Sequence, residues 1–232
     1  MWKDVFLANI ASRGRSGLAF SFRGHGMSEG REKLNDVTLA DYSADIIRIL
    51  EAYPEPPVII AHSLGALLTQ RLIGYRPIKA LVMLAPLPPD GMAFITSRLF
   101  ATEPSIWRAV QDALQGSPER ALSKVKDVVF STHLSAAEID RYLPQMVMEG
   151  VRVMVEAHLP FPILPAFLAG IPALVVGGDQ DLLVPSISNV RTALYHGADC
   201  RLVPEQGHLL QLEPGAHQVA DLVLDWLDQR NL

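Results

Sequence analysis

Short apolar runs closed by glycine or proline alternate along this chain with stretches whose apolar residues recur at helical spacing. Gly17–Phe22 is apolar and runs into the glycine-rich turn Arg23-Gly24-His25-Gly26, which reads as a buried strand and its loop. Thr38–Tyr53 has apolar residues at 39, 42, 46, 49 and 53, a helical stripe. Thr38 and Asp41 form a capping-box start for it, and Pro54, Pro56 and Pro57 end it. Strands are expected at Val58–Ala61, Ile78–Ala85, Ala173–Gly177 and Arg201–Val203. Helices are expected at Leu64–Tyr75 and at 215–228, the latter with apolar residues at 219, 222, 223, 226 and 227. Strand–helix alternation of this kind predicts an α/β fold with a mostly parallel sheet flanked by helices.

Residues 86–170 break that alternation. Pro86, Pro88 and Pro89 precede the segment, and Pro160, Pro162 and Pro165 close it. Between them lie helical patterns at Ser135–Leu143, with a Ser135/Glu138 capping box, and at Pro144–His158. The segment is too long for a plain loop. It predicts a helical cap inserted into a core made of residues 1–85 and 171–232.

Composition narrows the class. A chain of 232 residues with 49% hydrophobic and 19% charged residues is globular and large enough to need no disulfide or metal for its core. Twenty Lys and Arg against 25 Asp and Glu give a net charge of −5, with no basic block, which argues against nucleic-acid binding. Cys200 is the single cysteine, so an internal disulfide and a cysteine-based zinc site are excluded. No apolar run approaches the roughly 20 residues of a spanning helix. The N-terminus lacks the order of a signal peptide, and a cytoplasmic location is expected.

The candidate chemistry centres on Val58-Ile59-Ile60-Ala61-His62-Ser63-Leu64-Gly65. A strand meets a helix at Ser63, with a small residue two positions away on each side. A sharp strand-to-helix turn of this kind exposes a hydroxyl beside free helical N–H groups and leaves little room for side chains. A serine that merely caps the helix is the plainer reading. A nucleophilic serine needs a base, and the base needs an orienting acid. Asp179 and Asp181 follow one expected strand, and His208 follows the next. All three roles thus fall at the C-terminal ends of strands, where open α/β sheets place their sites. Asp181 is the preferred acid, with Asp179 solvated or capping the turn.

These blocks together resemble the α/β-hydrolase superfamily, in particular its lidded lipase, esterase and lysophospholipase-like serine hydrolases. The matching stretches are Arg23-Gly24-His25-Gly26-Met27-Ser28, Ala61-His62-Ser63-Leu64-Gly65, Gly178–Pro185, and Gly207-His208 with Glu213 and Pro214. The resemblance implies a Ser63–His208–Asp181 triad acting on a small-molecule acyl substrate such as a carboxylic ester. It implies the Leu64 backbone N–H as one oxyanion donor and no cofactor or metal.

Ala61 stands where the family usually has glycine. The resemblance also implies that the strands and the His-Gly oxyanion loop preceding the family's first helix are missing, because Met1–Phe6 matches that helix itself. Either Met1 is an internal start or the chain is a degenerate member, and retention of all three triad residues favours the first. A lesser reading assigns His25-Gly26 to the oxyanion loop.

Within 86–170, Met92, Trp107, Met154 and Phe161 are candidate substrate-wall residues, with cap core as the equal alternative. Rival functions are a non-catalytic binder of a small apolar ligand or a protein partner, and a different reaction on the same triad, such as C–C hydrolysis or perhydrolysis. The pattern sets no oligomeric state.

Overall fold

The computed structural model describes residues 2–103, 105, 126 and 128–232. Four parallel strands form its sheet in the order β1 (Val58–His62), β2 (Ala80–Leu84), β3 (Ala173–Gly178), β4 (Asp199–Val203). Val58 stands opposite Ala80, Leu81 opposite Ala173, and Leu174 opposite Asp199.

β2 and β3 are buried along their whole length, as strands covered on both faces must be. Ala80, Val82, Leu84, Leu174 and Val176 point to one face and meet the helix Ala216–Asp228 and Phe6. Leu81, Met83, Ala173 and Val175 point to the other and meet Ala66, Ile73 and Ala193. The period-2 alternation of side chains therefore builds two cores from one continuous apolar sequence.

The helices follow the chain in the order α1 (Ala8–Ser12), α2 (Leu39–Glu51), α3 (Leu64–Gln70), α4 (Ala93–Thr102), α5 (Ala136–Tyr142), α6 (Val151–His158), α7 (Ser186–His196) and α8 (Ala216–Asp228). Capping boxes open α2, through Thr38 and Asp41, and α5, through Ser135 and Glu138, as expected. Between β2 and β3 the described residues form helices and turns and add no strand to the sheet. No helix among the described residues is long and apolar enough to cross a membrane.

Three expectations are corrected. Gly17–Phe22 runs without joining the sheet, and Leu18 and Phe20 are exposed. A strand needs a neighbour for its N–H and C=O groups. Among the described residues, β1 pairs with β2 alone, and Phe22 turns instead onto the ring of Tyr42, 4.9 Å away. The predicted helix Pro144–His158 forms only from Val151. Before it, Gly150 is extended and presses on the backbone of residues 34–35, where a Cβ would sit 2.0 Å from the Leu34 carbonyl oxygen. Helical backbone there would forfeit that contact. The helix from Leu64 ends at Gln70 rather than Tyr75, and Gly74 lies at φ +85° in the turn that follows.

α7 has no counterpart in the hydrophobic pattern. Its buried face is Ser188, Asn189, Thr192, Ala193 and His196, so its polarity runs against the usual stripe. Ala193 packs into the second core, and His196 adds specific bonds. His196 Nδ1 accepts from the Ala166 N–H at 3.2 Å, and Nε2–H donates to Gln70 Oε1 at 3.0 Å. Gln70 Nε2 in turn donates to the Ala66 and Leu87 carbonyls. Burial pushes the His196 pKa down to about 4.

Two predictions follow from these contacts. His196 is neutral in the fold and titrates near 6.5 when unfolded. Its stabilisation is complete above pH 6.5 and is lost as pH falls toward 4, by about 3 kcal/mol at the lower end. Urea melts across that window should show the fall, and His196→Gln should flatten it. Among the described residues, nothing but the chain neighbours and own helical backbone of Gly65, at the second position of α3, comes within 4 Å of the place a Cβ would occupy. Close packing thus does not explain the small residue there. Gly65→Ala should leave the melting temperature unchanged or raise it, in line with a helix-propensity gain of up to about 1 kcal/mol, as a thermal melt would show.

Candidate active site

β1 ends at His62, and α3 starts at Leu64, leaving Ser63 alone to make the turn. Its backbone sits at φ 52°, ψ −119°, outside the conformations that residues with side chains favour. The strain is held by bonds on both sides. The Ser63 N–H donates to the Leu84 carbonyl at 3.0 Å, and the Ser63 carbonyl accepts from the Leu87 N–H at 3.3 Å. β2 and the turn beyond it therefore fix the serine in place. Leu64 takes the first position of α3, where an N–H has no acceptor within the helix.

Asp181 lies beyond the C-terminal end of β3. Its Oδ1 accepts from the Leu183 and Val184 N–H groups at 2.9 and 2.8 Å, which fixes the carboxylate plane. The other oxygen, Oδ2, accepts from His208 Nδ1–H at 2.8 Å. His208 Nε2 lies 2.9 Å from Ser63 Oγ and is the free acceptor in that tautomer. The structure thus joins Ser63, His208 and Asp181 in one hydrogen-bonded chain. Asp181 and His208 are 4% and 3% exposed, so the chain is shielded from water competing for its bonds. Asp179 stands apart from it. Its Oδ1 accepts from the N–H of Glu205, which is itself strained at φ 60°.

The close turns around His208 depend on glycine. A Cβ on Gly178 would come within 2.1 Å of the Gln206 carbonyl oxygen. One on Gly207 would lie 2.6 Å from the Ser131 nitrogen and 2.8 Å from Glu213 Oε1.

Two contributors were not singled out as site residues by sequence reasoning. His62 Nε2–H donates to the His208 carbonyl at 2.8 Å, with the two rings 4.7 Å apart. Burial first, and then the neighbouring His208, push the His62 pKa down to about 3, so it stands neutral beside the site. The Val129 carbonyl accepts from both the His208 and Leu209 N–H groups, at 3.1 and 3.3 Å. The position of His62 beside Ser63 was a usable signal. Nothing in the sequence ties residue 129 to residue 208.

The expected substrate-wall residues divide. Met92 is buried, and Met154 is packed against the same apolar cluster, which includes Leu87 and Val153 and reaches Leu64. The Met92 N–H also donates to the Ala157 carbonyl, which fits a packing role. Phe161 lies outside that cluster, half exposed under the Arg71 guanidinium at 3.8 Å. Trp107 falls outside the described residues. His25 is committed elsewhere. Its Nδ1–H donates to the Arg23 carbonyl at 3.1 Å, its Nε2 lies 3.4 Å from Glu149, and its ring is edge-on to Tyr42. No group of three or more His, Cys, Asp or Glu residues suited to a metal occurs among the described residues.

Solved structures share this architecture at low sequence identity. A protein described as a putative non-heme bromoperoxidase, BpoC from Mycobacterium tuberculosis H37Rv, superposes with a TM-score of 0.77 at 19% identity, covering 98% of this chain and 87% of its own. The esterase EaEST from Exiguobacterium antarcticum gives 0.75 at 12% identity, covering 97% and 89%. A thermophilic esterase from Thermogutta terrifontis gives 0.69 at 17% identity, covering 90% and 78%. At these identities the likeness is one of fold. No curated protein matches the sequence. The model of the alpha/beta hydrolase family matches residues 1–222, nearly the whole chain, and the chain belongs to that family.

Proposed function

We propose that the protein is a serine hydrolase that cleaves a carboxylic ester or related acyl substrate. The observation that supports this best is the unbroken bond chain from Ser63 Oγ through His208 to Asp181, set at a strained turn between strand and helix. In this reading Ser63 Oγ attacks the acyl carbonyl while His208 Nε2 takes its proton. The imidazolium then protonates the departing alcohol, and a water repeats the sequence to release the acid. Asp181 holds the tautomer that leaves Nε2 free and stabilises the charged ring. The Leu64 N–H donates to the oxyanion. The chemistry uses no cofactor.

Residues 86–170 act as a cap over the site, on a core of residues 1–85 and 171–232. The shared apolar cluster of Leu64, Met92 and Met154 supports an apolar wall near the nucleophile. The acidic balance favours a small-molecule substrate over nucleic acid. A single free cysteine fits the cytoplasm.

A fluorophosphonate should modify Ser63, as peptide mass spectrometry would reveal, and Ser63→Ala should abolish both labelling and ester turnover without loss of fold. Labelling elsewhere, or turnover surviving in Ser63→Ala, refutes the assignment. Asp181→Asn should keep the fold and lower kcat on the order of 10⁴-fold, because the amide can donate to Nδ1 and so favours the wrong tautomer. An ester assay at neutral pH measures it.

A further inference from the structure

Glu213 is 2% exposed, yet among the described residues no Lys or Arg is a hydrogen-bond partner of its carboxyl. Its Oε1 accepts from the Ser131 N–H at 2.9 Å, and its Oε2 is 2.5 Å from Ser131 Oγ. Burial pushes its carboxyl above the ordinary range, and nearby Asp181 adds to the rise. Burying a carboxylate is costly unless it is well bonded.

The bonds of Glu213 reach across 82 residues to a segment that touches the catalytic histidine. Two residues before Ser131, the Val129 carbonyl accepts the His208 and Leu209 N–H groups. Gly207, between His208 and this segment, is pressed against both Ser131 and Glu213 Oε1. On its other side, the His208 carbonyl accepts from His62, on the nucleophile's own strand. His208 is thus suspended by its main chain between β1 and the segment Val129–Ser131.

We infer that Glu213 is a positioning residue: it latches Val129–Ser131 through Ser131, and that segment holds the His208 backbone so that Nε2 stays on Ser63 Oγ. The inference deepens the hydrolase reading and rests on it for its kinetic consequence. It also couples the seating of residues 129–131, which belong to the proposed cap, to the reactivity of the nucleophile. Glutamine in place of Glu213 still accepts from the Ser131 N–H, so a latch survives that change and fails with alanine.

The test pairs amide hydrogen exchange with the rate of fluorophosphonate labelling. In Glu213→Ala the His208 and Leu209 amides should exchange at least tenfold faster, while those of β2 and β3 are unchanged. The labelling rate constant should fall at least tenfold with probe affinity unaltered. Glu213→Gln should return both to within about threefold of the wild type. Adding Ser131→Ala to Glu213→Ala should cause no further loss, because both act on one contact. If Glu213→Ala does not fold, Ser131→Ala alone supplies the readout, with at least threefold faster exchange at 208 and 209.

Unchanged exchange at His208 and Leu209 overturns the latch. Faster exchange with an unaltered labelling rate overturns the positioning role. A wild-type protein that resists the probe refutes the hydrolase reading instead, and the exchange measurement still decides the latch.

Discussion

The two bonds of the His208 ring are the constraint around which this molecule is arranged. One nitrogen is bound to Asp181 and the other to Ser63, residues 27 and 145 positions away. Holding groups so far apart in sequence to a few tenths of an ångström requires a rigid frame. The parallel sheet supplies it, because β1, β3 and β4 all end on the same side of the sheet and each is followed by one residue of the Ser63–His208–Asp181 bond chain. The wholly apolar β2 and β3 bury both faces and keep that edge in register.

The site also shows where the frame is not enough. A loop residue such as His208 has two backbone groups to satisfy, and neither is paired within the sheet. Its N–H goes to Val129 and its C=O to His62. Gly178 and Gly207 make these approaches sterically possible. The backbone bonds of His208 therefore reach two separate parts of the chain, the turn at Val129 and the end of β1 at His62.

Much of this was legible in the sequence, for definite reasons. β1, β2 and β3 are short apolar runs ended by glycine, proline or polar residues, and α2 and α8 bear clear apolar stripes. Ser63, Asp181 and His208 stand out because each follows a strand in order. The failures have a common cause. Gly17–Phe22 has strand composition, but a strand is defined by a neighbour, and composition cannot report one. α7 buries Ser188, Asn189, Thr192 and His196, a polar face that hydrophobic periodicity does not register and that His196 ties to Ala166 and Gln70 by hydrogen bonds. The small residue at Gly65 suggested crowding, whereas the space beside it is open. The tie between Val129 and His208 is a backbone contact, and side-chain identity leaves no trace of it.

The order of the strands bears on how the chain is born. β2 is buried on both faces, but β3, the neighbour that covers one of its edges, starts 89 positions after β2 ends, from residue 84 to residue 173. At typical synthesis rates of 5–20 residues per second, that interval lasts roughly 4–18 s. Over an interval of that length β2 is out of the ribosome before β3 and has only β1 to pair with. The same continuous hydrophobicity that steadies the finished sheet makes the nascent chain a natural client for chaperones, and Asp181 and His208 are among the last parts to arrive.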